Sequence, residues 1–202
     1  MVESAPGVSS LMEALVFSTT SVAIAEIGDK TQLLAFLLIA RYRRPWPIIV
    51  GILISTLLNH ALAAWLGAFA ADWLSSGWLP WLVGGAFIAV GVWILIPDKL
   101  DDESESRWLK HGAFLATLML FFIAEMGDKT QIATVLLGAQ FNNLPMVVLG
   151  TTLGMLLANV PVVLAGHLAI DRLPLNWIHR IASALFIALG LWIILGDAMS
   201  LL

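Results

Sequence analysis

Two nine-residue stretches combine acids, a lysine and an amide within otherwise apolar sequence. Residues 24–32 read Ile-Ala-Glu-Ile-Gly-Asp-Lys-Thr-Gln, and residues 123–131 repeat them with Met126 in place of Ile27. A charged side chain at the centre of a bilayer costs about 3 kcal/mol on insertion scales, so ionisable residues in such segments are functional by default. Carboxylate, hydroxyl and amide oxygens are the ligands of hard divalent cations. The two stretches therefore predict a cation or proton site.

The composition indicates that these stretches lie in membrane helices. The chain has 202 residues, of which 60% are hydrophobic and only 12% charged, whereas soluble domains carry about 25% charged residues. The alternating strands of a membrane barrel are absent, so helices are the remaining spanning structure. We expect an all-α membrane protein with six transmembrane helices, the first retained because no basic residue precedes it. The six apolar segments are 11–40, 46–70, 79–97, 112–140, 144–170 and 178–200.

The offset of 99 residues extends beyond the two stretches. Gly51 matches Gly150, and Phe-Ile-Ala at residues 87–89 recurs at residues 186–188. The sequence thus predicts repeat 1 over residues 11–97, an acidic cytoplasmic linker over 98–111 and repeat 2 over 112–200. Because each repeat has three helices, the second enters the membrane in the opposite direction. Inverted repeats are typical of secondary transporters, which bind substrate near the midplane where the repeats meet.

Basic residues predict the orientation. Apart from the two motif lysines, all of them fall in or directly beside the first, third and fifth loops: Arg41, Arg43, Arg44, Lys99, Arg107, Lys110, Arg172 and Arg180. These loops are therefore expected in the cytoplasm, with both termini outside. Glu26 lies 15 residues before Arg41, and Glu125 lies 15 residues after Lys110. Both acids should be about 22 Å from the cytoplasmic end of their helices, which is deep in a hydrocarbon core of about 30 Å.

Each stretch contributes similar groups to the expected site. On a continuous helix the acids and the lysine of one stretch would share an arc of roughly 100°. Gly28 and Gly127 indicate either close helix approach or a local break that frees carbonyl groups. The expected metal ligands are Glu26, Asp29, Glu125 and Asp128; accessory ligands or gating residues are Thr31, Gln32, Thr130 and Gln131; the charge-compensating residues are Lys30 and Lys129.

The residue types also limit the ion and the chemistry. The chain has no Cys and four His, which disfavours a site built for Zn²⁺ or Cu⁺. For His60, in the second segment, a packed histidine is the better interpretation than a ligand. Four carboxylates and two ammonium groups leave a charge of −2, which one divalent cation or two protons would neutralise. Competition between metal and protons for the same groups predicts proton-coupled antiport.

The duplicated motif resembles that of a known family. Glu-x-Gly-Asp-Lys-Thr stands complete at residues 26–31 and 125–130, and is similar to the motif of the calcium/manganese:proton exchangers, the second Ca²⁺:cation antiporter family, with Golgi, plastid and bacterial members. The resemblance spans both repeats. It implies cation antiport with the motif acids as ligands. Because this chain lacks a long N-terminal extension and a long central loop, it is more similar to the bacterial members, which resemble manganese exporters.

Several alternatives stay open at this point. The leading hypothesis is a multi-pass Mn²⁺ exporter of the bacterial inner membrane, followed by a Ca²⁺:proton antiporter, because oxygen ligands serve both ions. A passive divalent-cation channel is a further alternative. No catalytic constellation or phosphate-binding loop suggests an enzyme. The expected partners are the lipid bilayer, a divalent metal ion and protons, with no nucleic acid and no resident cofactor; a homo-oligomer is compatible with the sequence, which does not reveal the oligomeric state.

Overall fold

The computed structural model describes residues 8–73, 78–96, 109–141, 143–165 and 175–200. The regular structure of these residues is helical throughout. In chain order the helices are α1 (Val8–Glu26), α2 (Lys30–Tyr42), α3 (Pro45–Trp73), α4 (Leu79–Ile94), α5 (Ala113–Glu125), α6 (Lys129–Gln140), α7 (Leu144–Ala165) and α8 (Leu175–Ser200). The prediction of an all-α protein is confirmed.

The first and fourth apolar segments each form two helices instead of one. Gly28 has φ 86° and Gly127 has φ 72°, a left-handed conformation that glycine adopts without steric cost and that interrupts a right-handed helix. The local break, one of the two expectations for these glycines, is therefore what the structure contains. The continuous helix used to place the acids and the lysine on one arc is wrong between Ile27 and Asp29, because the chain turns there.

The other four apolar segments are single helices. Among all the described helices, four stretches are long and apolar enough to cross a membrane: Val8–Glu26, Pro45–Asp72, Leu144–Ala165 and His179–Gly196. Two shorter apolar helices are Leu79–Ile94 and Ala113–Glu125. Most of the predicted acidic linker (residues 98–108) and the end of the fifth segment (residues 166–170) lie outside the described residues.

The most extensive helix packing joins the first half of the chain to the second, through α4 with α8, α1 with α7, and α3 with both α5 and α6. Small residues allow these close crossings. A Cβ added to Gly51 would lie 2.8 Å from the Thr117 Cβ, and one added to Gly150 would lie 2.8 Å from the Ser18 Cβ. Each pair maps onto the other by the 99-residue offset. Neither half could bury its apolar surface in this way alone.

Helices α4 and α8 cross in opposite directions. Gly84 lies against the backbone of Gly190, whereas Gly91, further along α4, lies against the backbone of Ser183, earlier along α8. Residues 84 and 183, like residues 91 and 190, are separated by 99 positions. The two contacts are therefore also equivalent under the offset.

Large apolar side chains cover much of the outer surface. Leu62, Trp65 and Leu157 are all more than half exposed, as expected of side chains that face lipid. Trp46 and Trp177, both near helix N-termini, are exposed as well, which suits anchors at the membrane–water interface. The outer surface of the helices is thus largely apolar, as expected of a protein that lies in a bilayer.

Candidate cation site

The two helix breaks position the four predicted carboxylates. Glu26 is the last residue of α1 and Asp29 is the N-cap of α2; Glu125 and Asp128 hold the same places at the break between α5 and α6. All four are at most 5% exposed. Because the first N–H groups of a helix carry partial positive charge, the N-termini of α2 and α6 stabilise anions placed beside them.

Three of these carboxylates form one group. Glu26, Asp29 and Asp128 each offer an oxygen, and these oxygens lie within 4.8 Å of one another. Two members come from the first half of the chain and one from the second, as expected of a shared site. Glu125 lies outside this group, and its Oε1 accepts a hydrogen bond of 2.7 Å from the Thr56 hydroxyl. Its role as a ligand stays a prediction.

Each motif lysine makes a contact outside its own motif. Lys30 Nζ lies 3.0 Å from Asp128 Oδ1, so this ion pair joins the two breaks. Lys129 Nζ donates to the Ile96 carbonyl oxygen just beyond the end of α4. On a continuous helix the four-residue spacing between Glu26 and Lys30 would favour an ion pair within one motif. Since α1 ends at Glu26, helical spacing does not apply across the break.

The glutamines brace the breaks. Gln32 Oε1 accepts from the Gly28 N–H at 2.8 Å, and its Nε2 donates to the Ala158 carbonyl of α7 at 2.8 Å. Gln131 Oε1 accepts from the Gly127 N–H at 2.6 Å, and its Nε2 donates to Asn59 Oδ1 of α3 at 2.7 Å. Their oxygens thus already serve backbone donors, so the geometry gives both glutamines a positioning role.

The threonines differ between the halves. The Thr130 hydroxyl donates to Asp128 Oδ2 at 2.9 Å, and holds the carboxylate that caps α6. The Thr31 side chain is fully buried, and its Oγ1 has no hydrogen-bond partner among the described residues. Thr31 therefore has an oxygen to offer in this structure, whereas Thr130 orients a carboxylate.

Four buried residues near the acids escaped the sequence interpretation: Thr56, Asn59, Met155 and Asn159. Thr56 and Asn59 lie on α3, Met155 and Asn159 on α7. Asn159 Nδ2 lies 3.5 Å from Glu26 Oε1. An Asn within a long apolar segment is a signal that could have found it, because such residues usually face a bundle interior.

His60, at the position equivalent to Asn159, is fully buried, and neither ring nitrogen has a hydrogen-bond partner within the described ranges.

Replacing Gln32 with leucine tests the bracing role. The substitution leaves the Gly28 N–H and the Ala158 carbonyl without their partners, and a buried polar group left unsatisfied costs about 1–3 kcal/mol. We expect cation transport to fall by about tenfold while the protein still inserts. Transport by reconstituted protein measures it, with Gln140→Leu, at the end of α6, as the matched control. Equal transport by both variants would contradict the bracing role.

Comparison with known proteins bears on this site. Residues 14–102 and 113–200 match the GDT1 family, described as divalent cation/proton antiporters. The two matched ranges contain the two motifs and every acid of the site. The chain belongs to the GDT1 family.

The similarity to curated relatives extends over most of the chain. The chain is 54% identical over 182 residues to a Vibrio cholerae protein named "Putative manganese exporter", an alignment that covers 90% of each chain. It is 26% identical to GDT1-like protein 5 of Arabidopsis thaliana, over 90% of this chain and 95% of the relative. A GDT1-like protein of Synechocystis is also 26% identical, over 82% and 88%. No solved structure matches the chain.

Proposed function

We propose that this chain exports Mn²⁺ across the bacterial inner membrane in exchange for protons, through one site shared by both halves. The observation that carries the proposal is the buried group formed by Glu26, Asp29 and Asp128, whose oxygens lie within 4.8 Å of one another. Such a group costs free energy unless it binds cations or protons. It is assembled at two helix breaks in a membrane protein, the place where transporters bind ions.

Charge balance supports proton exchange. The four motif carboxylates and the two motif lysines, of which Lys30 is paired to Asp128, leave a charge of −2. One divalent cation neutralises it, and so do two protons. Both states suit a buried site, whereas the empty, fully ionised state does not. The site therefore alternates between metal and protons, and this alternation couples their opposite movements.

Inverted repeats support alternating access. The contacts of Gly84 with Gly190 and of Gly91 with Ser183 are equivalent under the offset and require α4 and α8 to run in opposite directions. We infer six membrane spans, in which α1 with α2 and α5 with α6 form the two broken ones. Rocking of one repeat against the other would open the shared site to each side in turn, with the termini outside the cytoplasm.

Manganese is favoured as the cargo by the Vibrio cholerae relative, which is 54% identical and bears the name of a manganese exporter. The carboxylate-rich donor set suits Mn²⁺ and also Ca²⁺. The export direction follows from the same relative. A bacterial member with this orientation would take Mn²⁺ from the cytoplasm and release it outside.

Flux measurements on purified protein in proteoliposomes test the proposal. With an imposed pH gradient we expect Mn²⁺ to move uphill against proton flow, and a Mn²⁺ gradient to drive a change of internal pH. Ca²⁺ transport in place of Mn²⁺ would assign a Ca²⁺:proton antiporter. Mn²⁺ flux that only runs downhill and carries no protons would instead indicate a channel and overturn the antiport.

A further inference from the structure

We propose that Met155 and Asn159 of α7 complete the cation site, and that the Met155 thioether gives it a preference for Mn²⁺ over Ca²⁺. The inference rests on the proposed function and names the feature that selects the ion. It starts from an observation that the carboxylates do not explain: a fully buried amide lies beside Glu26, and a fully buried sulfur lies against that amide.

The Asn159 amide connects the sulfur to a carboxylate. Its Nδ2 lies 3.0 Å from Met155 Sδ and 3.1 Å from the Met155 carbonyl oxygen. The same nitrogen lies 3.5 Å from Glu26 Oε1, one of the three grouped acids. Met155 and Asn159 are four residues apart on α7, so their side chains share a face, and that face is directed at Glu26.

The Asn159 amide presents its N–H, not its oxygen, to Glu26. An N–H group that points at Glu26 would repel a metal ion, whereas a carbonyl oxygen would bind one. Asn159 Oδ1 is buried and has no hydrogen-bond partner in the described part of the chain, and the same holds for Glu26 Oε2. Rotation of the amide would turn Oδ1 towards the cation and take the N–H away from Met155 Sδ. Both atoms then become available as ligands.

The resulting donor set discriminates between cations. It consists of carboxylate oxygens, one amide oxygen and one thioether sulfur. Ca²⁺ takes six to eight oxygen ligands, and a position occupied by sulfur leaves it under-coordinated. Mn²⁺ also prefers oxygen ligands, but as a transition metal it binds a mixed set of donors more readily than an alkaline-earth ion of the same charge. Met155 therefore disfavours Ca²⁺ at a site whose carboxylates alone would bind either ion.

The other half of the chain provides the contrast. Residue 56, the equivalent of Met155, is threonine, and its hydroxyl donates to Glu125 Oε1 at 2.7 Å. The protein thus has a hard oxygen beside Glu125, whereas a soft sulfur lies against the amide that faces Glu26. Met155→Thr would give both halves the oxygen donor, in a helix position whose counterpart already accommodates threonine.

Two variants of Met155 test the inference in proteoliposomes, with Mn²⁺ and Ca²⁺ transport measured separately and in competition. Met155→Leu removes the sulfur and nearly conserves side-chain volume, a change that cores tolerate well. We expect it to lower the Mn²⁺ over Ca²⁺ preference by about tenfold, and Met155→Thr to lower it further by improving Ca²⁺ transport. Met12→Leu, at an exposed position on α1, should keep the wild-type ratio.

An unchanged ratio in both Met155 variants, with Mn²⁺ transport retained, would overturn the inference and leave the proposed function intact. Proton-independent transport by the wild type would instead overturn the proposed antiport. The ratio of Mn²⁺ to Ca²⁺ transport in the Met155 variants would still show whether Met155 selects the ion. Mn²⁺ titration of the detergent-solubilised variants, followed by the electron paramagnetic resonance of free Mn²⁺, gives a second readout. A weaker Mn²⁺ affinity in Met155→Leu supports sulfur ligation, and equal affinity contradicts it.

Discussion

Replacing Asp128 with asparagine is expected to abolish proton-coupled cation transport. Asp128 is the member of the grouped acids that comes from the second half of the chain, and it pairs with Lys30 at 3.0 Å. Without its charge the remaining motif acids and lysines leave only −1, so a bound divalent cation would be buried with a net positive charge. Since loss of partners that merely orient metal ligands already costs about 10- to 100-fold, we expect transport to fall by at least about 100-fold.

The measurement is Mn²⁺ flux under a pH gradient, with the amount of protein in the membrane determined in parallel. Asparagine keeps the shape of the side chain and can still cap α6, so insertion should be normal. Asp72→Asn is the matched control, because Asp72 is exposed near the end of α3 and far along the helix from Thr56 and Asn59. Wild-type flux in Asp128→Asn would remove Asp128 from the proposed site.

Replacing Gly67 with alanine is expected to destabilise the protein strongly. A Cβ at this position would lie 1.8 Å from the Val135 carbonyl oxygen and 3.0 Å from the Ala139 nitrogen. Both atoms belong to the backbone of α6, so no side-chain rotation relieves the clash and α3 must move away from α6. Overpacking of this kind costs about 3 kcal/mol. At roughly 2–4 °C per kcal/mol for a chain of this size, Tm should fall by roughly 6–12 °C.

Thermal unfolding in detergent measures this effect. Gly85→Ala is the control, because a Cβ there would have no atom within 4 Å and alanine favours the helix; its Tm should stay the same or rise slightly. We also expect Gly67→Ala to reduce transport, since α6 carries Gln131, which reaches Asn59 of α3. An unchanged Tm for Gly67→Ala would mean that α3 and α6 separate at little cost.

Two features of the sequence were enough to predict the fold class, the residue types of the site and the family. Hydropathy depends only on residues that are close together along the chain, and it identified the apolar segments that form helices. The near-identity of residues 24–32 and 123–131 identified the residue types of the site, since buried acids and lysines are costly in apolar surroundings. The family followed from the same two motifs and was confirmed by comparison.

The sequence limited the two motif glycines to two possible roles but did not decide between them. Glycine at residues 28 and 127 permits a left-handed turn and equally permits close packing, because the lack of a Cβ serves both. The structure contains the turn, with φ 86° and 72°. Gln32 and Gln131, four residues further on, accept from the freed glycine N–H groups, a use of these amides that sequence spacing did not suggest.

The sequence by itself determined which chemical groups enter the membrane and that they come in two equivalent sets. Only the tertiary structure decided which of them meet. It grouped Glu26 and Asp29 with Asp128, left Glu125 beside Thr56, and placed Asn159, which contacts Met155, beside Glu26. The physical reason is that residue type and periodicity act along the chain, whereas the contacts of Glu125 with Thr56 and of Glu26 with Asn159 join positions 69 and 133 residues apart. Their geometry depends on how closely small residues let the helices cross and on the direction that each chain takes after its break.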